Sequence, residues 1–295
     1  MDSIPHIAHI DTNKNPIGIH SLEDHAKGVA KLASQFAAEF GMAEWGQTLG
    51  LLHDKGKERK SFQCYLKTMA GVENSWRGEE KQHAYVGAIL ALNKHGVDVG
   101  SFLGYPIMGH HSGLDDYKDF KVKIKQEIPS EIDTNIVWTK LGISASITTE
   151  FTNQDKSERS KHHLIRMLYS CLVDADFLDT ENFMDVEHSR LRNSKATLAE
   201  LAPKLDAYLD NISKCATKNS LNSLRQQIQN KCKDMAETES GVFSLTVPTG
   251  GGKTLSSLVW AINHALKHGK KRIIIAIPYT SIVTQTAEIL SNIFG

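Results

Sequence analysis

Leu51-Leu52-His53-Asp54-Lys55-Gly56-Lys57 closes an apolar run with a histidine and an aspartate side by side. An imidazole nitrogen next to a carboxylate oxygen is a good ligand pair for a borderline divalent cation. Lys57 stands four residues past His53, so a helix through this stretch would set both on one face. There its ammonium would meet a phosphate brought to the cation. A lone His-Asp pair is common in ordinary proteins, so this reading depends on further ligands arriving from elsewhere in the chain.

Upstream, Ser21-Leu22-Glu23-Asp24 has the spacing of a capping box, with Asp24 where Glu or Gln is usual. The helix that follows runs to about Phe40, with Leu22, Ala26, Val29, Ala33 and Phe36 on its apolar side and His25 beside them. Residues 1–20, broken by Pro5, Pro16 and Gly18, read as an extended lead-in with His6, His9 and His20 on the surface. A second helix from about Ala43 delivers Leu49 to Leu52 and the His-Asp pair.

Downstream, Lys57-Glu58-Arg59-Lys60 is a charged run suited to steering phosphate. A loop over 71–80 precedes His83, which starts a helix that Gly96 closes. Gly109-His110-His111-Ser112-Gly113 then places two histidines between glycines, which let the backbone approach an ion closely. Residues 115–135 read as a lid or surface insertion, and 136–150 as a helix. Over 157–180 a helical stripe of Ile165, Leu168, Tyr169 and Leu172 continues at Asp176. A carboxylate at a core position needs a cation or donors. Asp174 is its rival, about 200° away around the helix. Asp179, His162, His163 and His188 read as solvated. Residues 190–237 read as two helices parted near Ala216–Ser220. Their basic excess, including Arg190, Lys204, Arg225 and Lys233, suits a nucleic-acid face or a soluble connector equally.

At Gly241 the character changes. A short apolar strand over Val242–Val247 leads to Pro248-Thr249-Gly250-Gly251-Gly252-Lys253-Thr254, an amphipathic helix to about His268, a second strand over Lys271–Ile277 and a last helix. Strand, glycine loop and helix are the setting of a phosphate loop. Thr249, Gly250, Gly251 and Gly252 would cradle phosphate with backbone N–H groups. Lys253 would reach the β- and γ-phosphates of ATP and Thr254 would hold Mg²⁺. Val247 stands where the pattern has its first glycine. No acidic strand follows, and two strands do not make a stable parallel sheet, so the chain reads as part of something longer. The expected organisation is an all-helical domain over 1–237 and the beginning of a RecA-like α/β domain over 238–295.

The chain has 295 residues, 40% hydrophobic and 23% charged, with 34 basic and 34 acidic side chains. Zero formal net charge means that a polyanion must be held by local patches. Four cysteines without CxxC spacing suit free thiols in a reducing cytoplasm. No apolar run approaches the ~18 residues that a membrane helix needs.

The ordered set His25, His53-Asp54, His83, His110-His111 and Asp176 resembles the HD-domain phosphohydrolase superfamily. GHHSGL, DADFLDTE and VPTGGGKT together resemble the type I CRISPR-associated nuclease-helicases, and PYTSIVTQTA resembles the next motif of superfamily 2 helicases. Asp176 fits the Ala-Asp-aromatic pattern of that family better than Asp174 does. The resemblance implies a metal-dependent nuclease for single-stranded DNA, fused to an ATP-driven 3′–5′ helicase and recruited by a Cascade-type surveillance complex. Seven ligands suffice for two ions. His25, His53 and Asp176 would hold one, His83, His110 and His111 the other, and Asp54 would bridge, with Lys57 stabilising phosphoryl charge. An imidazole-rich site favours Mn²⁺, Co²⁺, Ni²⁺ or Fe²⁺ over Mg²⁺. Two rival readings remain: a phosphohydrolase for nucleotides or cyclic nucleotides, and a non-catalytic HD docking module of a helicase.

Overall fold

The computed structural model describes residues 6–74, 76–78, 81–136, 141, 158–193, 196–217 and 219–295. The helix expected over 136–150 lies outside the described residues except for 136 and 141. The described chain is mainly α and divides into two compact units, 1–193 and 194–295. None of its helices is long and apolar enough to cross a membrane.

The first unit opens with an antiparallel hairpin, β1 (Ile7–Asp11) and β2 (Gly18–Ser21), where an extended lead-in was expected. Ile7 and Ala8 are buried, and Gln63 bonds the Ile7 backbone in both directions. This tertiary anchoring is what a short polar sequence does not disclose. Helix α1 (Leu22–Ala38) starts at Ser21, whose hydroxyl accepts from Asp24 N at 3.0 Å. Helix α2 (Ala43–Leu52) packs on α1 with backbones nearly touching. A Cβ at Gly46 would lie 2.2 Å from Ala33 O, and one at Gly50 2.3 Å from Ala30 N. The glycines thus permit the approach that brings His25 and His53 together.

A 3₁₀ turn (Lys55–Glu58) and α3 (Lys60–Met69) follow. Helix α4 (Ala84–Gly109) breaks at Gly96, which has φ 74°, and then resumes. Helix α5 (Tyr117–Lys123) lies in the segment expected as a surface insertion, with Phe120 buried. Helix α6 (Glu158–Met184) crosses α1, α2 and α4, and α7 (Val186–Asn193) ends the unit. Val29, Ala33, Leu49, Leu52, Val86, Leu103, Ile107, Leu168 and Leu172 form one continuous core.

The second unit holds α8 (Leu198–Cys215), α9 (Ser220–Met235), α10 (Lys253–Lys267) and α11 (Thr280–Phe294). Leu205, Leu258, Val259, Ile262 and Ile293 are its core. Helices α8 and α9 pack on α10, so these helices, expected to precede residue 238, belong to the second compact unit. These helices are polar in composition, yet their few apolar residues close this second core.

The strands expected over 242–247 and 271–277 are not formed: among the described residues these segments carry no regular secondary structure and no sheet pairing. Val242 is fully exposed and Ile274 is 87% exposed. Apolar sequence marks a parallel strand only where neighbours and covering helices complete the sheet.

Candidate metal centre and phosphate loop

Five structural elements converge at the His-Asp pair. His25 projects from α1, His53 caps α2, Asp54 precedes the 3₁₀ turn, His83 and His110 cap the two ends of α4 with His111 beside them, and Asp176 comes from α6. His25, His53 and Asp54 are almost wholly buried, and His83 and His110 are buried too. His111 is exposed and Asp176 partly so, which marks the side open to solvent.

The side chains fall into the two groups expected. Asp54 Oδ2 lies 3.3 Å from both His25 Nε2 and His53 Nε2, and His25 Nε2 lies 3.3 Å from Asp176 Oδ1. Asp54 Oδ1 faces the other way, 3.1 Å from His83 Nε2 and 3.5 Å from His110 Nε2. His111 Nε2 is 3.0 Å from His83 Nε2. Donor atoms of His25, His53 and Asp176 cluster within 4.8 Å, as do those of Asp54, His83, His110 and His111. Asp174 is exposed on the opposite side of α6 and is not in either cluster.

The far nitrogens fix which ring atom points inward. His53 Nδ1 donates to Gly50 O at 2.8 Å, His110 Nδ1 to Ile107 O at 2.6 Å and His83 Nδ1 to Lys81 O at 3.3 Å. His25 Nδ1 donates to Asp179 Oδ2 at 2.8 Å. Each buried ring therefore turns Nε2 toward Asp54, the arrangement of metal-ligating histidines. Beyond Lys57 and the surrounding histidines neither Asp54 oxygen has a hydrogen-bond partner among the described residues, and His110 Nε2 is buried without one. Two carboxylates and five imidazole nitrogens converging in this way need positive charge among them, and divalent cations fit the donor set.

In the protein alone, protons and Lys57 supply that charge. Burial opposes protonation of His25, but the Asp176, Asp179 and Asp54 carboxylates outweigh it and hold its pKa at about 10. His53 is likewise buried, yet Asp54 and Asp176 raise it to about 9. Burial would raise the Asp54 pKa; the Lys57 and His53 charges reverse this and hold it well below the usual carboxylate range. The second group behaves oppositely. Burial lowers His110, and burial with the His110 and His83 charges lowers His111 to about 4.

Lys57 is buried, with Nζ 2.7 Å from Asp54 Oδ2. It comes from the 3₁₀ turn and not from a continuous helix face. Of the expected phosphate-steering run, Lys57 is thus taken up by Asp54, and Arg59 donates to Gln82 O at 2.8 Å. Lys60 remains exposed. Three residues assigned to the surface belong near the centre instead: His9, His20 and Asp179 all pack on His25. Asp179 was legible in principle, three residues beyond Asp176 on one helix face.

In the second unit, the loop of Thr249 to Thr254 runs into the N-terminus of α10, with Lys253 and Thr254 exposed there. Gly250 and Gly252 have φ of 82° and 81°. A Cβ at Gly251 would lie 2.3 Å from Val247 Cγ1, so a glycine here offsets the branched residue at the pattern's first position. Arg225, counted among possible nucleic-acid contacts, instead donates from Nε and Nη2 to Gly250 O at 2.9 and 2.7 Å. A cavity of about 900 Å³ opens beside the loop, lined in part by Asp206, Gln226, Gly252, Leu255 and Val259.

Residues 225–295 match the family model of the DEAD/DEAH box helicases, from the loop-binding Arg225 through α11. No curated protein matches the chain. The C-terminal region is therefore similar to a segment of a superfamily 2 helicase domain, and Thr249 to Thr254 lie within the matched residues.

Proposed function

We propose that the N-terminal unit is an HD-type, two-metal nuclease for single-stranded DNA, working beside an ATP-driven helicase. The observation that carries this reading is Asp54. It is buried, and it offers one oxygen to His25 and His53 and the other to His83 and His110. A purely structural or docking role gives no reason to bury a carboxylate among four converging imidazole nitrogens.

His25, His53 and Asp176 would hold one divalent ion, His83, His110 and His111 the other, with Asp54 shared. Bound there, the ions would polarise a phosphodiester and acidify a water for hydrolysis. The chain's own groups prepare the site. The Nδ1 bonds hold the rings in register, Lys57 offsets the Asp54 charge, and the rim at His111 and Asp176 admits the substrate. Hydrolysis needs no protein nucleophile, and none lies among these groups. By the resemblance of GHHSGL, DADFLDTE and VPTGGGKT, the reading extends to CRISPR interference in the cytoplasm, with a Cascade-type complex as partner.

The test is cleavage of circular single-stranded DNA, which offers no free ends, by metal-stripped protein resupplied with Mn²⁺. Nicking that Asp54→Ala abolishes is the expected result. A clean preparation that binds two ions and leaves the circle intact would sink the nuclease reading. Hydrolysis of mononucleotides alone would favour the small-molecule phosphohydrolase.

A further inference from the structure

We propose that Asp179 is a positioning residue for His25, held in place by the N-terminal hairpin. The inference rests on the metal-centre reading and names what aims one of its ligands. His53, His83 and His110 donate Nδ1–H to carbonyls two or three residues away, which their own backbone keeps in place. His25 alone among these four uses a side chain, and that side chain is 154 residues distant on α6. A carboxylate on the far nitrogen fixes a ligand's ring rotation and tautomer and makes its other nitrogen a better donor.

Such a carboxylate must itself be held. Gly28, three residues after His25 on α1, leaves it room: a Cβ there would lie 1.9 Å from Asp179 Oδ1. Thr180, the next residue, contacts His9 Nε2 of β1 at 3.2 Å. Phe183, one turn further, stacks on His20 of β2 with centroids 4.6 Å apart and carries the Lys14 ammonium 4.2 Å above its ring. His20 Nε2 also lies 3.7 Å from Asp179 Oδ2. The hairpin thus clamps the end of α6 that bears Asp176 and Asp179.

His9, His20 and His25 also bring three ring nitrogens within 4.8 Å. His25 has no nitrogen to spare for a third ion, however, with Nε2 in the main pocket and Nδ1 on Asp179. The group is a brace.

The experiment titrates the metal-free 295-residue chain with Mn²⁺ and Co²⁺, following spin resonance and cobalt absorption, with His25→Ala marking the ion it supports. Asp179→Ala should weaken that same ion about 10- to 100-fold and leave the other within about twofold. Asp179→Asn keeps an oxygen that accepts from Nδ1 and should recover most of the loss. Gly28→Ala crowds Asp179 without replacing it and should weaken the same ion selectively; it carries the test if Asp179→Ala does not fold. Equal loss of both ions with falling helical circular dichroism would mark a merely structural role and overturn the proposal. So would unchanged affinity in Asp179→Ala beside a two-ion wild type, an outcome that leaves the metal centre standing. A wild type that binds no ion removes the centre and this inference together.

Discussion

The histidine–aspartate centre draws side chains from residues 25 to 176, whereas the phosphate loop takes consecutive residues, 249 to 254. One is a buried convergence of ligands from α1, the end of α2, both ends of α4 and α6, and it depends on those helices packing correctly. The other presents backbone at a helix N-terminus, shaped by glycine dihedrals and an Arg225 bond to Gly250 O. Side-chain sites distribute their risk over the fold. Backbone sites concentrate it in one turn, which is why the loop is readable as a short motif and the centre only as an ordered set.

The largest effect should come from Asp54, the residue both ions would share. Asp54→Ala should remove cleavage and most bound metal, measured by mass spectrometry of metal content alongside the circular-DNA assay. Removing one partner of a buried pair costs about 3–5 kcal/mol, so Asp54→Asn is the companion variant and helical circular dichroism the control. Retained two-ion binding in either variant would end the bridging role.

Metal identity comes next. Equimolar Mn²⁺, Co²⁺ and Ni²⁺ should each support faster cleavage than Mg²⁺, because imidazole nitrogen suits them and Mg²⁺ prefers oxygen. A side-by-side titration in which Mg²⁺ equals or beats all three would show that the His83, His110 and His111 group holds no working ion.

The contrast with the loop is tested by Lys253→Ala. Nucleotide binding should fall about tenfold or more as the contact to the β- and γ-phosphates goes, while metal content and single-strand cleavage stay unchanged. Gly251→Ala should act in the same direction by driving a Cβ into Val247. If either variant lost metal, the two sites would not be independent.

A smaller effect separates the two halves of the centre by pH. In the metal-free protein, His25 has its pKa at about 10 against an ordinary 6.5, so its contribution is full below about 6.5 and is lost as pH rises through 10. His53 follows the same sign through about 9. His111, lowered to about 4, contributes above 6.5 and loses that contribution as pH falls toward 4. The metal-free melting temperature should therefore decline between pH 7 and 10, and Mn²⁺ should flatten the decline by replacing those protons. Parallel curves with and without Mn²⁺ would show that the ion does not displace them. Asp174→Ala, on the exposed face of α6, should change neither metal content nor cleavage; a clear loss of metal would return Asp174 to the ligand set.

Most of the helical framework was legible in order and type. Ser21 caps α1, α2 ends at the His-Asp pair, and Asp176 continues the buried stripe of α6, because local periodicity and capping are properties of neighbouring residues. The hairpin was not legible, because its burial is supplied by Gln63 and by α6. The strands on either side of α10 were overread, because an apolar run specifies a strand only with partners to pair.

The sequence by itself determined which residue types are available for metal and phosphate, and on which helices they lie. It also determined the order that groups His25, His53, His83, His110, His111 and Asp176 around Asp54 as candidates. Only the tertiary structure decided that Asp54 turns one oxygen to each histidine group, that Lys57 points inward to Asp54, and that Asp179 and the hairpin stand behind His25. Those facts depend on how α1, α2, α4 and α6 approach one another. Contacts across 28 to 154 residues are set by core packing and close glycine contacts, which no local pattern encodes.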